Sequence, residues 1–211
     1  MEASIALEVQ PRKRPVQERA RQRVSRILEA TAELLEERGS VGLTTNHIAD
    51  RAEVNIASLY QYFPNKQAVV MALADRMIHE YQQIYASFPD EFAWAADWRA
   101  VYTDYIYRLI VAGTGRKGSL AIRKAIEADP NFVNFDRRVG TGIARFISEG
   151  LRRRLSASDM TLPNMLSRTI VATGESIFES DNTGRTLAYR HPEITAEIIK
   201  MQIAYLDLHL S

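Results

Sequence analysis

A chain of 211 residues with 46% hydrophobic and 25% charged side chains is long enough for one large domain or two small ones, and too apolar to be disordered or fibrous. Its 27 basic and 26 acidic residues leave a formal charge of +1, so the total gives no reason to expect a polyanion or a membrane, and the absence of cysteine excludes disulfides, thiolate metal sites and cysteine nucleophiles. No stretch reaches the roughly 20 apolar residues of a membrane-spanning helix, and the start "MEASIALEVQPRKRP" is too short in apolar residues for a signal peptide; a soluble, cytoplasmic protein with no membrane partner is expected.

The charge is unevenly placed. Between Pro11 and Arg26, the basic residues Arg12, Lys13, Arg14, Arg19, Arg21, Arg23 and Arg26 are opposed by Glu18 alone, which suits a polyanion as well as a solvated helix face. Residues 1–15 lack periodicity and read as a mobile basic arm. Beyond them apolar residues recur at three and four, and alternating strand patterns are nearly absent, so the chain is expected to be all-α.

A first helix is predicted over Val16 to Arg38, with Val24, Ile27, Leu28, Thr31, Leu34 and Leu35 on one face and Gly39 as its C-cap. Two short helical pieces follow. A long helix is expected from Asn65 to Phe88, stopped by Pro89 and carrying Val70, Leu73, Met77, Tyr81 and Ile84. Asp97 caps the next, whose stripe runs through Trp98, Val101, Tyr102, Tyr105, Ile106 and Leu109 to Gly113. Ser119 opens a short helix that Pro130 closes, and Asp129 with Pro130 begins another that ends in the basic Arg152, Arg153 and Arg154, facing the negative end of its dipole. One more helix is predicted over Thr161 to Ser180, and the last begins at His191 and Pro192. That last helix carries two apolar stripes, Ile194, Ile198, Met201, Tyr205 and Leu208 beside Ile199, Ile203, Leu206 and Leu210, too wide an arc for a single neighbour. A second subunit on one stripe would explain it, as would a central place in a monomer. The glycine-, serine- and asparagine-rich segments "GTGRKG", "SASDM" and "DNTGRTLAYR" read as surface loops.

The stretch "TTNHIADRAEVNIASLYQYFPNK", Thr44 to Lys66, holds the two short pieces. Thr44 and Thr45 are good N-caps for the first, which puts Ile48, Ala49 and Ala52 on one side. Asn55 can cap the second, where Ile56, Leu59 and Phe63 share a face and Pro64 ends the helix. Ala57, Ser58 and Gln61 point the other way, while Tyr60 and Tyr62 flank the seam with hydroxyls free to reach outward. Two short helices joined by a tight turn and packed on a longer one form the arrangement of a DNA-binding helix-turn-helix. Ser58 and Gln61 suit base edges, Ala57 a thymine methyl, and the tyrosine hydroxyls, Thr44, Thr45 and Lys66 suit phosphate oxygens. Packing tyrosines with wet tips would look the same by spacing.

"LTTNHIADRAEVNIASLYQYFPNKQAVV" also resembles the helix-turn-helix of the TetR family of bacterial transcriptional regulators, which combines a threonine pair, "IA", a small turn, "LY", an aromatic pair and a lysine at fixed spacing. The resemblance covers about residues 20 to 75. It implies DNA contacts at Thr44, Thr45, Asn46, Ile56, Ala57, Ser58, Tyr60, Tyr62 and Lys66, to which spacing adds Gln61. Where the family usually has a turn glycine this chain has Glu53, so the turn either avoids a positive φ or accepts a cost of roughly 1 kcal/mol.

The resemblance further implies an N-terminal three-helix DNA-binding domain, over residues 16–64, and a C-terminal helical ligand-binding and dimerisation domain, over 65–211, with 65–88 as the connecting helix. Its partners would be double-stranded operator DNA, a small, largely apolar effector and a second copy of the chain; no cofactor is implied. The effector pocket would draw on Tyr81, Tyr85, Trp98, Tyr102, Tyr105, Arg123, Phe146 and Glu175, although each aromatic ring is equally at home in a packed core. The homodimer would draw on Ile170, Ile177, Ile198, Met201, Tyr205 and Leu208. A ligand-responsive repressor, nucleoid-associated when bound, is the expectation. A helical enzyme finds no support, since His47, His79, His191 and His209 are scattered and neither HExxH nor GxSxG occurs. A helical adaptor would leave the N-terminal arginines unexplained.

Overall fold

The computed structural model describes residues 11–12, 17–114, 118–129, 135–179 and 186–210, and no strand occurs among them. The basic arm expected over residues 1–15 lies outside these apart from residues 11 and 12. Packing separates two compact units, one of residues 1–77 with 117–135 and the other of residues 78–116 with 136–211. The expected functional boundary at residue 64 is therefore not where the packing divides.

The first unit is built on α1 (Glu18–Arg38), whose Ile27, Leu28, Thr31, Leu34 and Leu35 are buried along the face read from the sequence. The Thr31 hydroxyl donates to the Ile27 carbonyl at 2.7 Å, so its polarity is satisfied within the helix. Gly39 ends α1 with its N–H on the Leu35 carbonyl, at φ 67° and ψ −179°, a region essentially reserved for glycine. Then come α2 (Thr45–Arg51), α3 (Ile56–Tyr62) and α4 (Lys66–Tyr85). Asn65 caps α4 by accepting from the Ala68 N–H at 2.8 Å; residues of α4 up to Met77 belong to this unit. The unit also takes in α7 (Ser119–Glu127), which packs on α1. The approach is close at Gly118: at φ 81°, a Cβ there would stand 3.0 Å from the Ala32 carbonyl oxygen and 3.1 Å from the Ala32 methyl.

The second unit contains the rest of α4 and then α5 (Phe88–Trp94), α6 (Trp98–Thr114), α8 (Phe135–Arg154), α9 (Thr161–Gly174), α10 (Leu187–Arg190) and α11 (Pro192–Leu210). The long helix stops at Tyr85 rather than Phe88, and Pro89 sits in the first turn of α5. Proline is tolerated there because a first-turn N–H has no helical acceptor to lose. Asp97 caps α6 as read, accepting from Ala100 N–H at 3.1 Å, whereas the expected start of α8 at Pro130 lies outside the described residues. The helix expected to Ser180 is α9 followed by one 3-10 turn, Glu175–Phe178. α10 was not expected, and falls inside the segment read as a loop.

The core of this unit is aromatic. Phe88 stacks on Phe92 at 5.0 Å and meets Tyr105 edge-on at 4.8 Å, and Phe92 meets Trp98 edge-on at 5.6 Å. One buried polar network crosses it: the Tyr102 hydroxyl donates to Gln202 Oε1 at 2.6 Å, and Gln202 Nε2 donates to the Ile170 carbonyl and Thr173 Oγ1, both at 3.0 Å. This ties α6, α9 and α11 together. Arg154, at the end of α8, donates to the Phe92 and Ala95 carbonyls at 3.1 and 3.0 Å, satisfying the C-terminal end of α5.

Beside it, Arg152 and then Arg153 donate to the Glu149 carboxylate and hold its pKa at about 2, against an ordinary 4.5. A carboxyl depressed in the folded state contributes stability above its unfolded value that is lost as pH falls through the folded one. Glu149→Gln should therefore melt below the parent protein at pH 7, and the two melting curves should converge between about pH 4.5 and pH 2. A gap that stays constant over that interval would show the pair to be energetically idle.

Candidate functional site

The side chains at the helix-turn-helix are positioned by caps. Thr44 is the N-cap of α2, its hydroxyl accepting from the His47 N–H at 3.2 Å, and Asn55 caps α3 by accepting from the Ala57 N–H at 2.8 Å. Thr45 Oγ1 and the Tyr60 hydroxyl lie 3.0 Å apart, joining the start of α2 to α3. Arg51, in the last turn of α2, pairs with Glu33 and Glu37 of α1, and these carboxylates raise its already high pKa. That pairing spans 14 and 18 residues, beyond what local spacing can reveal.

The turn departs from the family pattern in the costly way. Glu53 stands at φ 52°, with its N–H on the Asp50 carbonyl at 3.2 Å and the Val54 N–H on the Ala49 carbonyl at 3.0 Å. These two bonds make a Schellman ending to α2, whose left-handed position favours glycine. Glu53→Gly should therefore stabilise the protein by about 1 kcal/mol, raising Tm by roughly 2–4 °C. A lower Tm would mean that the glutamate side chain contributes more than its backbone costs.

Burial divides α3 along the expected seam. Leu59 is fully buried and Phe63 buried with it, while Ala57, Tyr60 and Gln61 are exposed and Ser58 is half-buried. Thr44 and Asn46 are exposed beside them, with Thr45 and Ile56 half-buried. Two residues differ from the sequence reading. Tyr62, at 7% exposure, is part of the core rather than a flank of the seam, because it falls on the side of α3 shared with Leu59 and Phe63. Lys66 Nζ donates to the Ser40 and Leu43 carbonyls, both at 3.0 Å, so two of its three donors hold the loop before α2 rather than pointing outward.

The residues expected to line a pocket separate into three groups. In the second unit, Ile78, Tyr81, Gln82 and Tyr85 of α4 face Val139, Gly142, Ile143 and Phe146 of α8 across a cleft of about 10 Å³, about the smallest space that holds a water. Tyr81, Tyr85 and Phe146 are thus brought together. Trp98, Tyr102 and Tyr105 are instead core: Tyr102 bonds Gln202, and the Tyr105 and Ser87 hydroxyls are 2.6 Å apart. Burial pushes the pKa of Tyr85 and Tyr102 well above the ordinary phenol value. Glu175 Oε1 lies 3.5 Å from where a Cβ on Gly140 would be, away from the cleft's lining. Arg123 belongs to the first unit, where it pairs with Glu127 on α7. Ile78, Gln82, Val139, Gly142 and Ile143 were missed, since none of them carries an aromatic signal.

The expected dimer residues also divide. Ile170 and Ile177 are 2% and 1% exposed, in the core of their own subunit. On α11 one stripe is buried through Thr195, Ile199, Gln202 and Leu206, and the other is left open, with Met201 and Leu208 exposed and Ile198 and Tyr205 half-buried. Among the described residues no helix is long and apolar enough to cross a membrane.

Comparison with known proteins places the best-matched segment on these helices. The family profile for bacterial regulatory proteins of the tetR family matches residues 27–73. The class G tetracycline repressor protein of Vibrio anguillarum is 38% identical over 73 residues, 35% of this chain and 32% of that protein. The curated relatives are matched over only a quarter to a third of their own length, 33%, 32% and 25%. A TetR-family transcriptional regulator from Streptomyces coelicolor superposes with a TM-score of 0.66 at 27% identity, covering 91% of this chain and 99% of the other. SmeT of Stenotrophomonas maltophilia, in a complex with triclosan, shares the fold at 17% identity, a TM-score of 0.62 and coverage of 87% and 90%.

Proposed function

The chain belongs to the TetR family of regulators, and on that premise we propose that it is a homodimeric, sequence-specific DNA-binding repressor released from its operator by a small, largely apolar effector. One observation carries the DNA-binding part: α3 buries Leu59 and Phe63 and turns Ala57, Tyr60 and Gln61 outward, within the segment that the family profile matches. Base readout is assigned to Ser58 and Gln61, with Ala57 against a thymine methyl. Thr44, Thr45, Asn46, Ile56 and Tyr60 track the backbone beside them. Lys66 holds the loop before α2 and can spare one N–H for a phosphate; Tyr62 supports the helix from behind.

The dimer reading rests on the open apolar stripe of α11, and the repressor reading on the name of the tetracycline repressor protein and on SmeT being described as the repressor of a multidrug efflux pump. A homodimer would place its two recognition helices in major grooves about 34 Å apart, or a multiple, and would sit on the nucleoid when bound. An effector would act by favouring a dimer in which that spacing is lost.

Mobility shifts of the full chain on genomic fragments test this. A preferred fragment, bound with affinity that falls steeply as salt rises, is expected; equal binding to every fragment, or none at low salt, contradicts the assignment. Within the preferred site, Ser58→Ala should relax discrimination at one base pair by about 1–3 kcal/mol while leaving Tm nearly unchanged. Equal weakening on every sequence would remove Ser58 from base readout.

A further inference from the structure

Three arginines near the start of α1 form a stripe that internal packing does not explain. At helical spacing Arg19, Arg23 and Arg26 share one side of α1, and Glu33 and Glu37 continue that side about two and three turns further on. Both carboxylates are taken by Arg51 of α2, so this is the side of α1 that faces the helix-turn-helix. Arg19 and Arg26 are exposed and Arg23 is half-buried, and none of the three has an ion-pair or hydrogen-bond partner among the described residues. Arg21, about 200° round the helix from Arg19, lies instead 3.9 Å from Glu18. The chain ahead of α1 also returns to α3, where the backbone N–H of Arg12 donates to the Tyr62 carbonyl at 2.8 Å.

We propose that Arg19, Arg23 and Arg26 hold the phosphate backbone of duplex DNA outside the base pairs that α3 reads, so that α1 extends the footprint beyond the helix-turn-helix. The proposal rests on the DNA-binding reading above and adds a second contact surface to it. All three residues are arginines, whose planar forks match phosphate oxygens in pairs. From position 19 to position 26 the stripe covers about 10 Å of helix axis, and a duplex of that length carries roughly six phosphate charges. Each guanidinium thus has a phosphate within its stretch of backbone. No ion pair has to be broken first, because the acidic end of the same side is already neutralised by Arg51. Contacts of this kind carry no sequence information. They raise affinity for every duplex alike and leave discrimination to α3.

Binding of the full chain to a preferred and to an unrelated DNA fragment, each measured over a range of salt concentrations, tests this. Arg19→Gln, Arg23→Gln and Arg26→Gln combined should reduce the steepness of log K against log salt by about 2–3, since each phosphate neutralised contributes about 0.9. Both fragments should weaken by the same factor, with Tm nearly unchanged. Lysine at the same three positions should restore the slope, and Arg21→Gln, on the far side of α1, should keep that of the parent. Trimming the base pairs that flank the preferred site should weaken the parent protein and leave the triple glutamine variant unaffected. If that variant melts early, Arg26→Gln alone carries the test, with a steepness lower by about 1. A parental slope in the glutamine variants, a loss from Arg21→Gln as large as that from Arg26→Gln, or a loss confined to the preferred fragment would each overturn the stripe's role and leave DNA binding by α3 standing. A parent protein that binds neither fragment at low salt would overturn both.

Discussion

Leu59→Ala is expected to destabilise the helix-turn-helix by about 2–5 kcal/mol, the range for truncating a fully buried leucine into a site that collapses only in part. Leu59 has no exposed surface, and α3 is only seven residues long. A helix of that length has no independent stability, so its buried face is nearly all that holds it. Thermal unfolding should show the loss, and binding to a preferred operator should fall with it. Gln61→Ala, two residues on and about half a turn round to the exposed side, should do the reverse, leaving stability within about 0.5 kcal/mol of the parent while reducing operator affinity. A Gln61→Ala protein that melts early, or a Leu59→Ala protein that melts like the parent, would mean that the two faces of α3 are assigned the wrong way round.

Gln202→Met should cost about 2–3 kcal/mol although it nearly preserves volume, because it leaves the Tyr102 hydroxyl buried without its acceptor. The Ile170 carbonyl also loses a donor, but it keeps the Thr173 hydroxyl at 3.0 Å and is less affected. Tyr102→Phe in the same background removes the orphaned group. The double variant should then be more stable than the sum of the two single losses predicts, by about 1 kcal/mol. Strict additivity in denaturant unfolding would show that the two side chains do not stabilise one another.

What could be read in advance was whatever depends on residues close in sequence. The caps Thr44, Asn55 and Asp97, the buried face of α1, the burial of Leu59 and Phe63, and the open stripe of α11 follow from spacing and cap chemistry, and the all-α fold follows with them. The turn at Glu53 was legible as a choice between two outcomes, and the backbone took the positive φ. Long-range pairing was not legible. Lys66 reaching back to Ser40 and Leu43, Arg51 gripping α1, and Gln202 receiving the Tyr102 hydroxyl all join residues whose types suit several partners equally. The aromatic residues of the second unit show the limit most plainly. Composition marks Tyr81, Tyr85, Trp98, Tyr102, Tyr105 and Phe146 alike, and only the packing separates those that face open space from those that fill the core. Gly142 carries no sequence signal for a cleft at all, because a glycine says nothing about whether its surroundings are crowded or empty.

The contact of α7 with α1 has a consequence for how the sequence can drift. Gly39 and Gly118 both have positive φ, yet they are locked for different reasons. Gly39 has open space where a side chain would go, and it is its torsion angles that forbid replacement. Gly118, at φ 81° and ψ −6°, holds a torsion that asparagine also tolerates, and it is clearance from Ala32 that forbids it. Ala32→Gly would remove the methyl at 3.1 Å but leave the carbonyl oxygen 3.0 Å from the added Cβ, so position 118 opens only if the α1 backbone itself moves away, and position 39 not even then.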